Sequence, residues 1–474
     1  MKTVREFGAR GDEASDDTKA IRAAIDACCG IQPVIIPAGT FSVGSLVLRS
    51  GTTLRLEAGA ILLGRPDPDL YPGYPPIRDS RLKLDPWRAF LYAQDAHDIT
   101  IEGPGKLAPN GADDVFQNGI GDSPERPFGL HLVRCRNVVV RDLEMEGSAF
   151  WMQRYFCCED VRISGLRVYN HCNLNNDGLD IDGCRRVQIT GCEIDSSDDA
   201  LVIKSESDQA SEDVEVSGCI LRSHASAIKL GTGSVGGFRR ITIRNCTVAA
   251  SRAPEVHHPF KVRGGLCGID LGCVDRGVME DILVDGIVID GVQSPIFVRL
   301  GDRGAQPWAQ DARAAGQVRN IRIKNVRATG AGPIASSLTG YSGHPLENIT
   351  LENIDIEVTR SAFAGNVDAL PTPKWLSPLI HGSSAPEDRE KILSLDVPEN
   401  IGEYPVNRIF GSPLPAFGLY IRHVRGLRLD GIRLRMQAAG DDRPPMVLDD
   451  TPDARLENLD AETRTGMIVR QPDE

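Results

Sequence analysis

The residues best suited to chemistry lie in two short segments, Asn175-Asn176-Asp177-Gly178-Leu179-Asp180 and Asp198-Asp199-Ala200-Leu201-Val202-Ile203-Lys204-Ser205. They carry four carboxylates, and Asp177 precedes Asp198 by 21 residues. In a stacked repeat, residues one period apart in sequence become neighbours in space. The backbones of adjacent coils lie about 4.8 Å apart. Splayed side chains widen the carboxyl separation toward the ~6.5–9.5 Å that admits a water in an inverting cleavage of a glycosidic bond. Clustered carboxylates also raise at least one pKa, leaving a protonated acid beside an ionised base. The competing reading makes these residues turn formers, since Asp side chains bond readily to nearby backbone. The matched offset weighs toward catalysis.

Such a cluster needs a repeating scaffold, and the chain has one. Asn137-Val138-Val139-Val140-Arg141-Asp142-Leu143 is echoed from Asp160, Arg186, Asp213 and Arg240, at steps of 23, 26, 27 and 27 residues. Later copies begin at Asp281, Asn320, Asn348 and Gly426. Each copy alternates apolar and polar residues, turns at Gly, Asn or Asp, and resumes alternating. No helical pattern intervenes, so parallel strands must be joined by winding the chain round, and the period fits one coil of a parallel β-helix. The expectation is an all-β, single-domain solenoid over residues 1–474. Its open end needs a cap. Ser15-Asp16-Asp17-Thr18 offers N-cap residues, and Ile21, Ala24, Ile25 and Cys28 share one helical face, so the pattern predicts an amphipathic helix over 15–29. The repeat is interrupted at about 65–95, 250–275, 300–317 and 360–420. These insertions are expected as long loops on one face, walling a groove.

Composition narrows the partners. With 48 Gly, 30 Pro and only 5% aromatic residues, the chain favours strands and tight turns. A net charge of −13 argues against a nucleic acid or an anionic membrane, both of which select a basic face. Met1-Lys2-Thr3-Val4-Arg5-Glu6-Phe7 has no apolar signal region, and no run is long enough to span a bilayer, so the sequence reads as cytoplasmic. The 12 Cys form no CxxC pair and no Cys/His zinc spacing. They are expected as free buried thiols, with Cys192, Cys219 and Cys246 in matching positions, and no metal or other cofactor is expected.

The run Asn175-Asn176-Asp177-Gly178, then Asp198-Asp199 and Ile203-Lys204-Ser205, resembles glycoside hydrolase family 28, the polygalacturonase group of right-handed β-helices. That family carries Asn-Thr-Asp and then Asp-Asp one coil later, and here Asn176 stands second. Ser148-Ala149-Phe150-Trp151 looks like the family's loop ending in Trp. Phe7-Gly8-Ala9-Arg10-Gly11-Asp12 is similar to the opening of the wider pectin-lyase-like superfamily, and the likeness covers residues 1 to about 350. The resemblance implies Asp198 as general acid and Asp177 and Asp199 as the groups that activate water; Asp180 lies close in sequence, and alternation is expected to give it a supporting, substrate-binding role. It implies inverting, metal-free hydrolysis of pectin-type oligosaccharides, galacturonan or rhamnogalacturonan fragments. Exo attack follows if the insertions close the groove. Two family motifs are altered. In place of Gly-His-Gly stands Ser223-His224-Ala225, and Asp270 and Gly272 replace both cations of the Arg-Ile-Lys motif that grips a galacturonate carboxylate. Rhamnogalacturonan-cleaving members also lack parts of those motifs and keep a Lys after the acidic pair, as Lys204 does here.

Further substrate contacts are read from residue type. Lys204 orients a carboxylate or binds a sugar oxygen, or else it is a solvated outer-face lysine. Lys229 and His224 pose the same choice. Arg299 and Arg303, ahead of Trp308, are candidates for the missing uronate clamp, because Arg binds carboxylates through two parallel hydrogen bonds. His257, His258, Lys261 and Arg263 form a second basic patch, and Trp151 is a candidate for lining the groove. Two other functions compete. A polysaccharide lyase on the same scaffold would recruit Lys204 or Lys229 as base, often with Ca²⁺. A non-catalytic carbohydrate-binding β-helix would bind without turnover. The oligomeric state is left open.

Overall fold

The computed structural model describes residues 1–77, 86–116, 126–254, 264–304, 315–363 and 389–470. The chain forms two compact units, one built on Met1–Ile220 and the other on Leu221–Arg252 with the more C-terminal segments. Each is a stack of parallel β-coils.

In the first unit, one sheet is made from the repeat read in the sequence. Ile99, Val138, Val161, Val187 and Val214 lie in register on successive strands, and Ile101, Val140, Ile163, Ile189 and Val216 form the next column. All ten are buried, while the residues between them are solvated. Alternation of period two thus puts one face into the core and one into water. The second sheet stacks Ala89–Gln94, Phe128–Val133, Gln153–Phe156, Leu179–Asp182 and Leu201–Ser205. Leu132, Tyr155, Ile181 and Ile203 form its core column. The longest connections are those that leave the first sheet and enter the second, after Gly64 and after Ala108.

The second unit repeats this plan with longer strands, such as Val278–Asp290, Gln317–Ala331 and Leu346–Val358. Ile241, Ile282, Ile321 and Ile349 form one of its core columns. Its second sheet includes Ser226–Ser234, Cys267–Cys273, Ser294–Leu300, Ser336–Thr339 and Leu419–Arg422.

The first residue of nearly every repeat has a left-handed backbone. Asn137, Asp160, Arg186, Asp213, Arg240, Asp281, Asn320 and Asn348 have φ between 51° and 58°, and Gly426 has φ 66°. Asn, Asp and Gly tolerate that region best, and this is why they punctuate the repeat. The amides also stack. Asn320 Nδ2 donates to Asp281 Oδ1 at 2.9 Å, and Asn348 Nδ2 donates to Asn320 Oδ1 at 3.2 Å.

Some expected boundaries move. The cap helix is Thr18–Cys28, with Ile21, Ala24, Ile25 and Cys28 fully buried, and Asp12–Asp16 is a strand. Asp17 does not cap the helix through its side chain. Its carboxylate accepts from the Arg10 and Gly11 amides at 2.7 and 2.9 Å, so it ties down the preceding turn instead. The interruptions expected to reach about 95 and 275 end earlier, at strands that start at Ala89 and Cys267, whereas the strand that follows the last one starts at Leu419, beside the expected bound of about 420. The apolar runs of these strands lack alternation, because both of their faces are buried. All 12 cysteines are free thiols, and Cys192, Cys219 and Cys246 are buried.

Candidate active site

Three consecutive strands of the first unit's second sheet build a charged cluster. Asp180 lies in register between Arg154 and Val202, and Asp182 between Phe156 and Lys204. Alternation turns Asp180, Asp182 and Lys204 to the face opposite Ile181 and Ile203. From there Lys204 Nζ reaches back to Asp180 Oδ1 at 2.7 Å and to Asp177 Oδ2 at 3.1 Å. The Trp151 ring lies 3.5 Å from the same ammonium. Asp177, Asp180 and Lys204 are all buried.

Two carboxylates therefore face one buried ammonium. Burial pushes the Asp177 carboxyl up to about 7. The Lys204 charge opposes the rise, and the nearby Asp198 and Asp199 add to it. Burial likewise holds Asp180 well above the ordinary carboxylate range, again against Lys204. Burial works against the charge on Lys204, but Asp180 and Asp177 outweigh it, so its pKa rises and it stays an ammonium.

Backbone contacts bring the Asp198-Asp199 pair alongside Asp177. The Asp198 amide donates to Asn176 O at 3.4 Å, and the Gly178 amide donates to Asp199 O at 2.9 Å. The Asp199 amide donates to Asp198 Oδ1 at 3.0 Å. Gly178 permits this approach: a Cβ there would lie 2.3 Å from Ile194 Cγ2 and 2.7 Å from Ala200 O.

Asn176, the departure from the family's Asn-Thr-Asp, is a fully used clamp. Its Oδ1 accepts from the Cys172 and Asn173 amides at 2.9 and 2.6 Å, and its Nδ2 donates to Ser148 O and Phe150 O, each at 2.8 Å. Asn170 works in parallel, donating to Asp177 O at 2.9 Å and accepting from the Ser148 amide at 2.9 Å. Together they fasten the loop before Trp151 to the backbone of Asp177. Arg126 holds the next turn, donating to Leu174 O at 2.6 Å and Asn175 Oδ1 at 3.0 Å.

Beneath the cluster lies a second buried ion group. Arg154 Nη2 contacts Asp182 Oδ2 at 2.7 Å and Glu206 Oε2 at 3.6 Å. Its guanidinium is walled by Trp87, Trp151 and Phe156, with centroids 5.2, 5.4 and 4.6 Å away. The sequence reading missed Arg154, Asn170 and Arg126. For Arg154 the signal was present: a lone cation amid Phe150, Trp151, Met152, Tyr155 and Phe156. For Arg126 there was none.

The other candidates divide. Lys204 is a buried ion-pair partner, not a solvated lysine. Trp151 is only 3% exposed, so it backs Lys204 and is not an open stacking surface. His224, Lys229, Arg299 and Arg303 belong to the second unit. His224 and Lys229 are buried there. Arg299 is not a uronate clamp. It is fully buried, donates to Thr339 Oγ1 at 3.1 Å and to Gly340 O at 3.4 Å, and also holds Glu399 O. Arg303 is held in two-point contact by Asp275, at 3.0 and 2.7 Å. Trp308, His257, His258, Lys261 and Arg263 lie outside the described residues. Among the described residues, no group of three or more His, Cys, Asp or Glu side chains is arranged to hold a metal ion.

The parallel coils form a β-helix, and one sheet of its first unit presents the buried carboxylate cluster. Residues 28–370 match the glycosyl hydrolases family 28, and the chain belongs to that family and is a polygalacturonase-like glycosidase. Among its relatives, an exopolygalacturonase of Platanus acerifolia is 23% identical over 74% of this chain and 89% of its own length. A polygalacturonase of Persea americana is 25% identical over 75% of this chain and 73% of its own. The right-handed parallel β-helical fold is shared with a family 28 exopolygalacturonase of Yersinia enterocolitica. That structure has a TM-score of 0.68 and 17% identity, and the match covers 97% of this chain and 78% of that one. An exopolygalacturonase of Thermotoga maritima aligns with a TM-score of 0.61 and 22% identity, over 76% and 87% of the two chains.

Proposed function

We propose that the chain hydrolyses pectin-type oligosaccharides, galacturonan or rhamnogalacturonan fragments, with inversion at the anomeric carbon and from the chain end. The observation that carries this reading is the buried Asp177–Lys204–Asp180 cluster with the Asp198-Asp199 pair on the adjoining coil. Asp198 gives its proton to the leaving glycosidic oxygen as the bond from the anomeric carbon to that oxygen breaks. Asp177 and Asp199 take a proton from the water that attacks the opposite face of the sugar. Lys204 favours the ionised form of Asp177, which is the form a base needs. The names of the relatives from Platanus acerifolia, Yersinia enterocolitica and Thermotoga maritima support exo attack. A lyase that uses Lys204 as base is disfavoured, because a lysine between two buried carboxylates keeps its proton.

The test is mass spectrometry of products from oligogalacturonides and rhamnogalacturonan fragments, using wild type and Asp198→Asn. Products that gain one water in wild type, and are lost in the variant, support the reading. Unsaturated products would move it to a lyase. Proton NMR of the first-formed anomer decides between inversion and retention.

A further inference from the structure

The buried cations of the first unit are paired diagonally across its second sheet. Arg154 and Asp180 share one column of that sheet, and Asp182 and Lys204 share the next column on the same face. Arg154 therefore has Asp180 as its direct neighbour, and Lys204 has Asp182. Neither cation pairs with that neighbour. Arg154 Nη2 and Nε reach across to Asp182 Oδ2, at 2.7 and 3.3 Å. Lys204 Nζ crosses the other way, to Asp180 Oδ1 at 2.7 Å and Asp177 Oδ2 at 3.1 Å.

Lys204 turns away from its neighbour because Asp182 is already filled. Arg154 takes Oδ2, and Oδ1 accepts from the Glu206 amide at 2.9 Å. One indole backs both cations, with the Trp151 centroid 3.5 Å from Lys204 Nζ and 5.4 Å from Arg154 Cζ. The other charges nearby are Glu206, which faces both cations, and Asp198 and Asp199, which face Asp177. His131, the neighbour of Arg154 on its other side, adds no charge. Burial first, and then the Arg154 charge, hold its pKa well below the ordinary range. Without Arg154, one ammonium would face three buried carboxylates, Asp177, Asp180 and Asp182. A buried carboxylate stripped of its cation is strongly destabilising. Asp182 lies one rung, about 4.8 Å, from Lys204, so the ammonium would be drawn to it and away from Asp177.

We infer that Arg154 is a positioning residue for the reaction: by filling Asp182 it confines the Lys204 ammonium to Asp177 and Asp180, and so keeps a cation on the base. The inference rests on the reading of Asp177 as base given above. The experiment pairs crystal structures of the full-length protein with pH profiles of kcat/KM on oligogalacturonides and rhamnogalacturonan fragments. It compares wild type, Arg154→Met, Arg154→Gln and the double variant Arg154→Met/Asp182→Asn. Arg154→Gln keeps a donor for Asp182 without the charge, and carries the test if Arg154→Met does not fold. In both single variants Lys204 Nζ should lie within hydrogen-bond distance of Asp182. The limb near 7 should move up by about one pH unit, a roughly tenfold loss of kcat/KM on its acid side. The double variant removes the competing carboxylate together with the cation, so Lys204 should return to Asp177 and Asp180, and the limb to its wild-type position. Lost packing alone would weaken all three variants and move no limb. An unmoved Lys204 or an unshifted limb in both single variants overturns the inference, and so does a raised limb that the double variant fails to restore. If the wild type turns over neither class of substrate, the structures still decide. Lys204 transferred to Asp182 then upholds the partition of charge and sinks the hydrolase reading alone.

Discussion

The two sheets of the first unit are built from the same coils and treat charge in opposite ways. On the repeat sheet, Arg186 Nε meets Asp160 Oδ1 at 2.7 Å, with the arginine side chain 51% exposed. On the other sheet, Arg154 Nη2 meets Asp182 Oδ2 at the same 2.7 Å, with both side chains fully buried. Chemistry, coil spacing and distance match, and only the surroundings differ. The exposed pair is exchangeable for water. The buried pair is held among aromatic rings, where an unpartnered charge costs several kcal/mol. A parallel solenoid can thus solvate one flank cheaply and concentrate electrostatic energy on the other, where the carboxylates lie.

The sharpest way to break this contrast is to disable the chemistry and leave the fold. Asp198→Asn should lower kcat by roughly 10²–10⁴-fold with an unchanged thermal midpoint. Stopped assays of reducing-end release and a melting curve check both halves. Next in size, Arg154→Met should cost about 3–5 kcal/mol in urea titrations, because Asp182 is left buried without its partner. Arg186→Met should leave the urea midpoint where it was. If the two variants destabilise equally, burial is not what separates the sheets.

The third prediction concerns pH. Asp177 keeps its proton up to about 7 in the folded chain, because burial outweighs the help from Lys204. A base must be ionised, so kcat/KM should rise with pH through a limb near 7. Lys204→Met removes a charge that favours ionisation, and the limb should move to higher pH. For stability the sign is the reverse of a salt-bridged carboxylate. The unfolded chain releases this proton near its ordinary value of 3.8 while the native chain retains it. The contribution of Asp177 is therefore most favourable below that value and is lost as pH rises toward 7. A small effect is expected in the core column of the repeat sheet. Ile163→Val, in register between Val140 and Ile189, should cost about 0.5–1.5 kcal/mol with kcat unaffected.

How much was legible follows the same divide. The repeat sheet could be read residue by residue, since alternation is a local signal and Asn, Asp or Gly marks most of the left-handed corners, Arg186 and Arg240 being exceptions. The carboxylates were legible through their spacing, because one period in sequence becomes one rung in space. Lys204 was ambiguous. On a strand buried on both faces, alternation does not tell which polar residue meets water. Arg299 was misread as a sugar clamp because its partner, the Glu399 carbonyl, comes from a segment 100 residues away. No local pattern announces that cover.

That covering segment also changes how the second unit comes apart. Arg299, Thr339, Arg422, Asp449 and Arg470 share one column on five successive rungs. Arg470 Nη1 donates to Leu395 O at 3.0 Å, Arg422 Nη1 to Val397 O at 2.5 Å, and Arg299 Nη2 to Glu399 O. A plain solenoid couples only adjacent repeats, so its last rung can fray alone. Here one extended stretch is gripped by every second rung. Peeling the terminal rung away means letting go of a staple that also holds rungs two and four further in. The outermost amides of this end should exchange with solvent as slowly as those several rungs deeper, and the end of the stack should open as a block.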